Sequence, residues 1–268
     1  MDLGIAGKSA FVSGAHRGTG AVIARMLAEE GACVFAHGPR AGDADDTVSS
    51  LRADGFVANA VAGDLTTDDG VQDALSHVVA GGKDIDILVN NWGGVAPGRW
   101  SAADATTWHA DYERNVLSMV RLSSALCGSM KAQGWGRIIS LGTQGTVQPP
   151  ARTPHYYAAK AALAAASASL ARELGPFGIT VNLVSPGLIR TAEVEAHFRR
   201  RAAAKGWGDD WAAIEARALD EMGGQNPSGR MSTREEVAAA VVFLAGAPAG
   251  HISGVNLRVD GAASALSL

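Results

Sequence analysis

Short apolar segments alternate with longer amphipathic segments along most of the chain. Seven runs of four to six residues are nearly continuous in apolar side chains, which indicates strands covered on both faces. The predicted strands lie at 9–12, 33–36, 56–61, 85–90, 137–141, 179–184 and 255–259. Between them, apolar residues recur three and four positions apart. This spacing predicts helices at 19–30, 43–54, 68–80, 102–132, 154–174 and 233–246.

Strands that alternate with helices of this length favour parallel pairing through right-handed crossovers. The sequence therefore predicts an α/β fold of the Rossmann type, with a doubly wound parallel seven-stranded sheet and helices on both faces. No linker rich in Pro, Gly or Ser divides the 268 residues, so we expect a single domain over 1–268. The polar segment at about 192–230 interrupts the alternation, and we interpret it as a helical flap near the substrate site.

Composition argues against several classes of protein. The formal net charge is −4, so no basic surface for nucleic acid is expected. Cys33 and Cys127 lack the spacing of a zinc site or a disulfide framework, and we expect two reduced, buried thiols and no metal. The first residues lack the features of a signal peptide, and no apolar run approaches the ~20 residues of a membrane span. We therefore expect a cytoplasmic enzyme with no membrane partner.

A glycine-rich loop follows the first predicted strand and opens the first predicted helix. The loop contains Gly14, His16, Arg17, Gly18, Thr19 and Gly20. Glycine permits a sharp turn and a close approach of the backbone to a pyrophosphate, and the N-terminus of the following helix stabilises the anion. Because the loop lies between a strand and a helix, it predicts a dinucleotide site rather than an ordinary tight turn.

The residues after the second predicted strand indicate which nicotinamide cofactor binds. An NAD site usually has a carboxylate there, bound to the ribose 2′-hydroxyl, and this chain has no acid at that position. Arg17 and Arg40 instead offer two guanidinium groups for a 2′-phosphate. We predict NADP(H). In the alternative, NAD(H) binds, Asp43 or Asp45 contacts the ribose, and Arg40 is a solvated loop residue.

Tyr156 and Lys160 lie four residues apart at the start of an alanine-rich predicted helix, and so project from one face. A free tyrosine has a pKa near ~10, too high for proton transfer at neutral pH. A neighbouring ammonium stabilises the phenolate and lowers that pKa. The pair is a candidate acid/base unit, although two helical residues at this spacing are also common without any shared role.

Along essentially its whole length the chain resembles the short-chain dehydrogenase/reductase family. Besides the glycine loop, Tyr156 and Lys160, the resemblance includes Asp64-Leu65, Asn90-Asn91 with Gly93, Asn115, Ser185-Pro186-Gly187, Ile252-Ser253-Gly254 and Val259-Asp260-Gly261. The segments 136–139 and 157–161 are most similar to 3-oxoacyl-carrier-protein reductases and their sequence neighbours. These neighbours act on very different alcohols and ketones. The resemblance therefore implies hydride transfer between a nicotinamide and an alcohol or carbonyl carbon, without indicating the substrate.

The resemblance also implies roles for individual residues. Tyr156 would protonate the carbonyl oxygen or deprotonate the alcohol, and Lys160 would lower the tyrosine pKa and bind the nicotinamide ribose. Asn115 would hold a water that links Lys160 to solvent. Cofactor contacts are implied for Asp64 and Leu65 at the adenine, for Asn90 and Asn91 at the adenine ribose, and for Ile189 and Thr191, past Pro186 and Gly187, at the nicotinamide amide.

Two positions depart from the family pattern. Thr143 stands thirteen residues before Tyr156, where the family usually has a serine that binds the substrate oxygen. Threonine keeps the hydroxyl, so we assign this role to Thr143, with Ser140 as the nearby rival. Trp92 replaces a residue that is commonly small, and it either packs inward or narrows the pocket. His155, before the tyrosine, is a candidate substrate contact or a rim residue.

Assembly and activity each leave an alternative open. Helix 157–174 is rich in Ala and Ser, and the family resemblance implies a homotetramer through this helix and 102–132, with a dimer as the fallback. The same small residues would also suit a helix packed only on its own sheet. The rival functions are an NAD-dependent dehydrogenase of polyols, sugars or diols, and a catalytically silent nucleotide-binding regulator. Gln144, Gln148, Trp207 and Trp211 are further candidates for lining the pocket.

Overall fold

The computed structural model describes residues 1–80, 82–147, 149–221 and 226–264, and in this part of the chain seven strands form one sheet. The strands are β1 (Ser9–Val12), β2 (Cys33–Gly38), β3 (Ala58–Ala62), β4 (Ile87–Asn90), β5 (Gly136–Leu141), β6 (Ile179–Pro186) and β7 (Asn256–Val259). Their order is β3-β2-β1-β4-β5-β6-β7, and every neighbouring pair is parallel. This confirms the predicted Rossmann-type fold.

Helices cover both faces of the sheet. They are α1 (Gly18–Glu29), α2 (Asp45–Ala53), α3 (Asp68–Ala80), α4 (Ala105–Tyr112), α5 (Ser118–Gln133), α6 (Pro154–Leu174), α7 (Ala192–Lys205), α8 (Trp211–Glu221) and α9 (Arg234–Ala245). One core cluster joins alternate strand residues such as Val12 to α1 and α9, and a second joins Phe11 to α3 and α5. Strands buried on both faces explain the continuous apolar runs in the sequence.

The sheet order places the site. The chain runs outward from β1 through β2 to β3 and then returns to pair β4 with β1. At such a reversal the chain leaves the two central strands, β1 and β4, in opposite directions along the sheet, and a crevice forms between the loops that follow them at the carboxyl edge. The loops after β1 and β4 therefore face each other at the expected cofactor position.

The predicted helix over 102–132 is interrupted in the structure. It consists of α4, a π-helical turn at Glu113–Leu117, and α5. The amide of Asn115 donates to the carbonyl of Asp111 at 3.0 Å and to the carbonyl of Gly94 at 2.9 Å. Side-chain competition for backbone groups of this kind accompanies π-turns, which are frequent at functional sites. The apolar periodicity alone did not show the interruption.

The polar segment 192–230 contains α7 and α8, and residues 222–225 lie outside the described part of the chain. The two helices pack around a small core that includes Phe198 of α7, Ile214 of α8 and Met231. Trp207 and Trp211 pack against this core, so these candidate pocket residues serve the packing of the segment.

The described residues also test what was expected of the two cysteines and of a membrane span. Cys33 and Cys127 are free thiols, and both are partly rather than fully buried, which corrects the expected burial. Among the described helices, none has the length and apolar content needed to cross a bilayer.

Arg137 is a buried cation at the opposite edge of the sheet from the site. Its side chain donates to the carbonyls of Gly136 at 2.8 Å and Gly178 at 3.4 Å. It also reaches the Gly246 carbonyl at 3.5 Å, and its guanidinium lies over the Trp135 ring at 4.3 Å. Burial of the guanidinium lowers the pKa of Arg137. Its role is to join β5, β6 and the end of α9.

We expect Arg137→Ala to lower the free energy of unfolding by about 2–4 kcal/mol, because buried carbonyls lose their donor and a cavity forms. Denaturant titration measures the change. Arg172→Ala, at an exposed site on α6, serves as the control and should change stability by less than about 0.5 kcal/mol. Equal effects of the two substitutions would contradict the structural role of Arg137.

Candidate active site

The glycine loop after β1 has a specific backbone geometry. Gly14 has φ +67° and Gly18 has φ +60°, a left-handed conformation that favours glycine. A Cβ on Gly20 would lie 2.3 Å from the Gly14 carbonyl oxygen, so any side chain there would collide with the loop. A Cβ on Gly18 would meet nothing within 4 Å, which leaves open space beside the first turn of α1. Arg17, at the N-cap of α1, makes no side-chain capping bond. This cradle fits the pyrophosphate of a dinucleotide.

The loop after β4 holds the glycine loop in place. The side-chain amide of Asn91 donates to the carbonyls of Ser13 at 2.9 Å and Gly14 at 3.1 Å. In return the Ser13 hydroxyl accepts the backbone N–H groups of Asn91 at 3.0 Å and Trp92 at 2.9 Å. Asn91 therefore shapes the cradle with its side chain, beyond the ribose contact that the resemblance implies.

His37 is a part of this cradle that sequence reasoning missed. Its buried imidazole accepts from the Gly14 N–H at 3.1 Å through Nδ1, so Nε2 donates to the Gly63 carbonyl at 2.9 Å. Burial lowers the pKa of His37 to about 4, and the ring is neutral at physiological pH. The available signal was a lone polar residue within the apolar run of β2.

Trp92 packs inward against the same histidine. Its indole meets His37 edge-on at 6.1 Å between ring centres and lies 6.3 Å from His16. It also packs against the core cluster on the α3 and α5 side of the sheet. Of the two alternatives for this residue, the structure therefore shows packing beneath the glycine loop.

The two arginines lie at the edge of the crevice with acidic neighbours. Arg17 is mostly exposed and its Nη1 lies 3.3 Å from Glu193 Oε1 at the start of α7. Arg40 is also exposed, with Nε 3.7 Å from Asp43 Oδ2. Asp43 in addition accepts from the Arg40 N–H at 3.1 Å. The loop after β2 thus presents both Arg40, a cation that suits the 2′-phosphate of NADP(H), and Asp43, a carboxylate that suits the ribose of NAD(H).

Other predicted cofactor residues are found at the same edge. Asp64 Oδ1 accepts from the hydroxyl of Thr66 at 2.7 Å and from its N–H at 2.9 Å, and these bonds hold the pKa of Asp64 below its usual value. Leu65 is fully buried in the core. Asn90 donates to the Ser140 hydroxyl at 3.4 Å inside the sheet. Ser140, the rival of Thr143, is thereby engaged away from the crevice.

Segments after β6 form the opposite side of the crevice. The turn Pro186-Gly187 is held by the Gly187 N–H, which donates to the Val259 carbonyl at 3.0 Å. Ile189 makes a bridge to Ser232. The hydroxyl of Thr191 accepts from the Val194 N–H at 3.3 Å and caps α7. Its side chain thus initiates the first helix of the 192–230 segment.

Tyr156 and Lys160 lie on one face of α6, with the Lys160 Nζ 6.0 Å from the centre of the Tyr156 ring. Nζ donates to the carbonyl of Leu141 at 2.8 Å, at the end of β5. Lys160 is 5% exposed, and burial lowers the pKa of its ammonium to about 8. A Cβ on Gly93 would lie 3.3 Å from this Nζ and 2.8 Å from the Oδ1 of Asn115. The glycine therefore lets Lys160 and Asn115 approach the same point.

The electrostatic environment of Tyr156 differs from the expected one. Burial raises its pKa, and the nearby charges of Tyr157 and Asp111 raise it further. A hydrogen bond with the Thr143 side chain acts in the opposite direction but is the weaker effect. The ammonium of Lys160, itself desolvated and bonded to a carbonyl, does not offset the burial. In this structure the phenol is therefore a weak acid that stays protonated at neutral pH.

A cleft of about 500 Å³ opens beside the two hydroxyls of Thr143 and Tyr156. Other lining residues are Gln144, Gly145, Pro149, Pro150, Tyr157, Gly187, Leu188, Leu219, Asn226, Ala263 and Ser264. Gln148 lies outside the described residues. His155 does not line the cleft, because its ring is buried against Asp111. Tyr157 and the distant Leu219, Asn226 and Ser264 are lining residues that no local sequence signal identified.

Comparisons with known proteins agree with this geometry. The model of the short chain dehydrogenase family matches residues 8–202. The 3-oxoacyl-(acyl-carrier-protein) reductase of Salmonella typhimurium is 34% identical over 255 residues, which cover 95% of this chain and 96% of that protein. The structure of L-sorbose reductase from Gluconobacter frateurii, complexed with NADPH and L-sorbose, matches with a TM-score of 0.92 at 32% identity and covers 100% of both chains. A gluconate 5-dehydrogenase from Burkholderia cenocepacia, in complex with NADP and tartrate, matches with a TM-score of 0.85 at 27% identity, covering 99% of this chain and 98% of that one.

The depressed pKa of Lys160 predicts a pH dependence of stability. The lysine pKa falls from 10.5 in the unfolded chain to about 8 in the folded protein, so between these values the unfolded state binds more protons. The free energy of unfolding should therefore rise with pH from about 8 toward 10, by up to ~3 kcal/mol.

Denaturant titrations at several pH values between about 7.5 and 10 test this expectation. Lys160→Met should remove most of the rise, whereas Lys83→Met, at an exposed site, should keep it. A rise of the same size in the Lys160→Met protein would show that other groups cause it.

Proposed function

Since the chain belongs to the short-chain dehydrogenase family, we propose that it is an NADP(H)-dependent oxidoreductase that interconverts a carbonyl and a secondary alcohol, with Tyr156 as the acid and base. The observation that carries the proposal is that two hydroxyl-bearing residues, Thr143 and Tyr156, line one cleft, with the Lys160 Nζ 6.0 Å from the centre of the Tyr156 ring. A nucleotide-binding regulator without activity would have no need of this arrangement.

The residues of the crevice suit the cofactor. The cradle of Gly14, Gly18 and Gly20 would hold the pyrophosphate, and Arg17 with Arg40 would bind the 2′-phosphate. NADPH bound there supplies the hydride. NADP(H) in the related sorbose reductase and gluconate 5-dehydrogenase structures supports this choice over NAD(H), the alternative served by Asp43.

The side chains act on the substrate oxygen. The hydroxyls of Thr143 and Tyr156 both donate to the carbonyl oxygen, which orients and polarises it. Tyr156 then gives its proton to the developing alkoxide, and in the reverse direction it takes the alcohol proton. The Lys160 ammonium stabilises the resulting phenolate, and Asn115 holds the relay that returns a proton through Lys160.

The substrate we propose is a small polyhydroxylated ketone. Gln144, Tyr157, Asn226 and Ser264 give the cleft polar groups at several points around the reacting hydroxyls, which suits a ligand with several hydroxyls. The sorbose reductase complex supports this class. A 3-oxoacyl thioester is the second candidate, favoured by the similarity to the reductase from Salmonella typhimurium.

The proposal includes the surroundings of the site. Leu219 of α8 lines the cleft, which supports a role of the 192–230 segment as a flap on a single 1–268 domain. We also propose a cytoplasmic homotetramer assembled through α5 and α6. Exposed Val120 on α5 and exposed Ala158, Ala161 and Ala165 on α6 support close helix approach at these surfaces.

The function is tested by measuring the rate of NADPH oxidation with each member of a panel of ketoses, sugar-derived keto acids and 3-oxoacyl thioesters. We expect turnover of a ketose-type substrate, a lower KM for NADPH than for NADH, and loss of turnover in Tyr156→Phe. Dinucleotide binding without turnover of any member of the panel would instead support the silent regulator. A lower KM for NADH would contradict the cofactor assignment.

The role of Thr143 predicts a specific pattern of variants. Thr143→Ala should lower kcat about 10²–10³-fold, as is typical when one donor to a developing oxyanion is removed. Thr143→Ser retains the hydroxyl and is the matched control, with kcat expected within about threefold of the parent. Steady-state kinetics measure both, and an unchanged rate in Thr143→Ala would exclude this residue from the mechanism.

A further inference from the structure

We propose that His155 and Asp111 are positioning residues, whose buried hydrogen bond fixes the helix of Tyr156 against the π-turn that carries Asn115. This inference deepens the proposed function and rests on it for the identity of the reaction. The pair itself lies outside the cleft and touches neither of its reacting hydroxyls.

The bond is short and fully enclosed. His155 Nδ1 lies 2.6 Å from Asp111 Oδ2, and the two side chains are 0% and 1% exposed. A proton between these two atoms makes the bond charge-assisted, and such bonds are stronger than neutral ones. Burial of a carboxylate is unfavourable without a partner, so Asp111 needs this donor. The guanidinium of Arg114 lies beside the other carboxylate oxygen, with its Nη1 3.9 Å from Asp111 Oδ1.

Each partner is directly connected to a residue of the site. The Asp111 carbonyl accepts the side-chain amide of Asn115 at 3.0 Å, one turn further along the helix. His155 immediately precedes Tyr156 in the first turn of α6. A bond between Asp111 and His155 therefore sets the distance between the two functional side chains.

The Nε2 edge of the His155 imidazole packs against a third segment of the chain. A Cβ on Gly98 would lie 2.5 Å from His155 Nε2, so the ring lies against the backbone after β4. The Gly98 carbonyl accepts the Thr153 N–H at 2.9 Å. Thr153 has φ 51°, a strained conformation for threonine, in the turn that leads into α6. Trp108 of α4 packs edge-on to the same imidazole at 6.1 Å.

The charge of Asp111 also reaches the tyrosine. It raises the pKa of Tyr156, acting after burial and the neighbouring Tyr157. The other titratable groups around this point are Arg114 on the π-turn and His155, Tyr157 and Lys160 on α6. Removing the negative charge without changing the shape should therefore lower the pKa of Tyr156, whereas a residue of purely structural importance would leave that pKa unchanged.

Substitutions at His155 separate the bond from the mere presence of a side chain. Asn at this position keeps an N–H donor near the place of Nδ1, whereas Leu keeps bulk and loses the donor. We expect His155→Leu to lower kcat about 10–100-fold, as misplacement of catalytic groups by up to an ångström does. The dissociation constant of NADPH, measured by fluorescence titration, should stay within about twofold of the parent. His155→Asn should restore kcat to within about threefold.

His109→Leu and His109→Asn are the matched controls, since His109 is exposed on the same helix as Asp111. Both should behave as the parent protein. Equal kcat for the parent and His155→Leu, or equal losses in His155→Leu and His155→Asn, would overturn the proposal. If His155→Leu does not fold, Asp111→Asn decides the question.

Asp111→Asn retains the shape and an oxygen that accepts from His155. We expect the Tyr156 limb in the pH profile of alcohol oxidation to move to lower pH. The same shift should appear in the phenolate absorbance of the cofactor-free protein, with Tyr156→Phe used to subtract the other tyrosines. If Tyr156 titrates at the same pH in Asp111→Asn as in the parent protein, the proposed link between Asp111 and Tyr156 is wrong. Because this measurement needs no turnover, it tests the pair even if the proposed reaction proves wrong.

Discussion

The candidate site depends on keeping an ammonium group in the interior of the protein. Desolvation of the Lys160 side chain is unfavourable, so the fold must supply oxygen atoms to it. The Leu141 carbonyl does so directly, and the absence of a side chain at Gly93 lets Asn115 approach the same point. These groups come from α6, the end of β5, the loop after β4 and the π-turn. The arrangement therefore requires the β4-β5 adjacency that the doubly wound sheet provides.

A second constraint is the contact between the loops after β1 and β4. Gly20 approaches the Gly14 carbonyl so closely that no side chain fits, and Asn91 and Ser13 bond the two loops to each other. His37 supports the loop from below as a neutral ring. The protein's own hydrogen bonds thus define the shape of the cradle, and the open space at Gly18 lies beside the first turn of α1. Preorganisation of this kind reduces the entropy lost when a dinucleotide binds.

The predictable features were those with a local cause. Continuous apolar runs indicated the strands, and the glycine loop and the spacing of Tyr156 and Lys160 placed the two halves of the site. The π-turn, His37 and the His155–Asp111 bond were not predictable, because each depends on a contact between segments distant in sequence. The π-turn depends on Gly94, and His37 on Gly14 and Gly63. Tyr157 was missed for a different reason, since nothing in the sequence indicated that the neighbour of Tyr156 on α6 also lines the cleft.

The protonation of Tyr156 shows how these contacts combine. Lys160, four residues along the chain, is the one charged neighbour of Tyr156 that the sequence indicates, and on its own it would lower the tyrosine pKa. In the structure the phenol is affected by at least four influences: burial, Tyr157 and Asp111 raise its pKa, and the Thr143 hydroxyl lowers it. Burial is the largest of these effects, and the Lys160 ammonium is bonded to the Leu141 carbonyl 2.8 Å away. The raised pKa keeps the proton on Tyr156 at neutral pH and makes its phenolate unfavourable, so proton exchange at this hydroxyl depends on the groups that surround it. The charges around the phenol therefore help to set the free energy of forming the phenolate. The buried carboxylate of Asp111, one turn from Asn115, makes the phenolate less favourable, and in this way it affects the chemistry of the site.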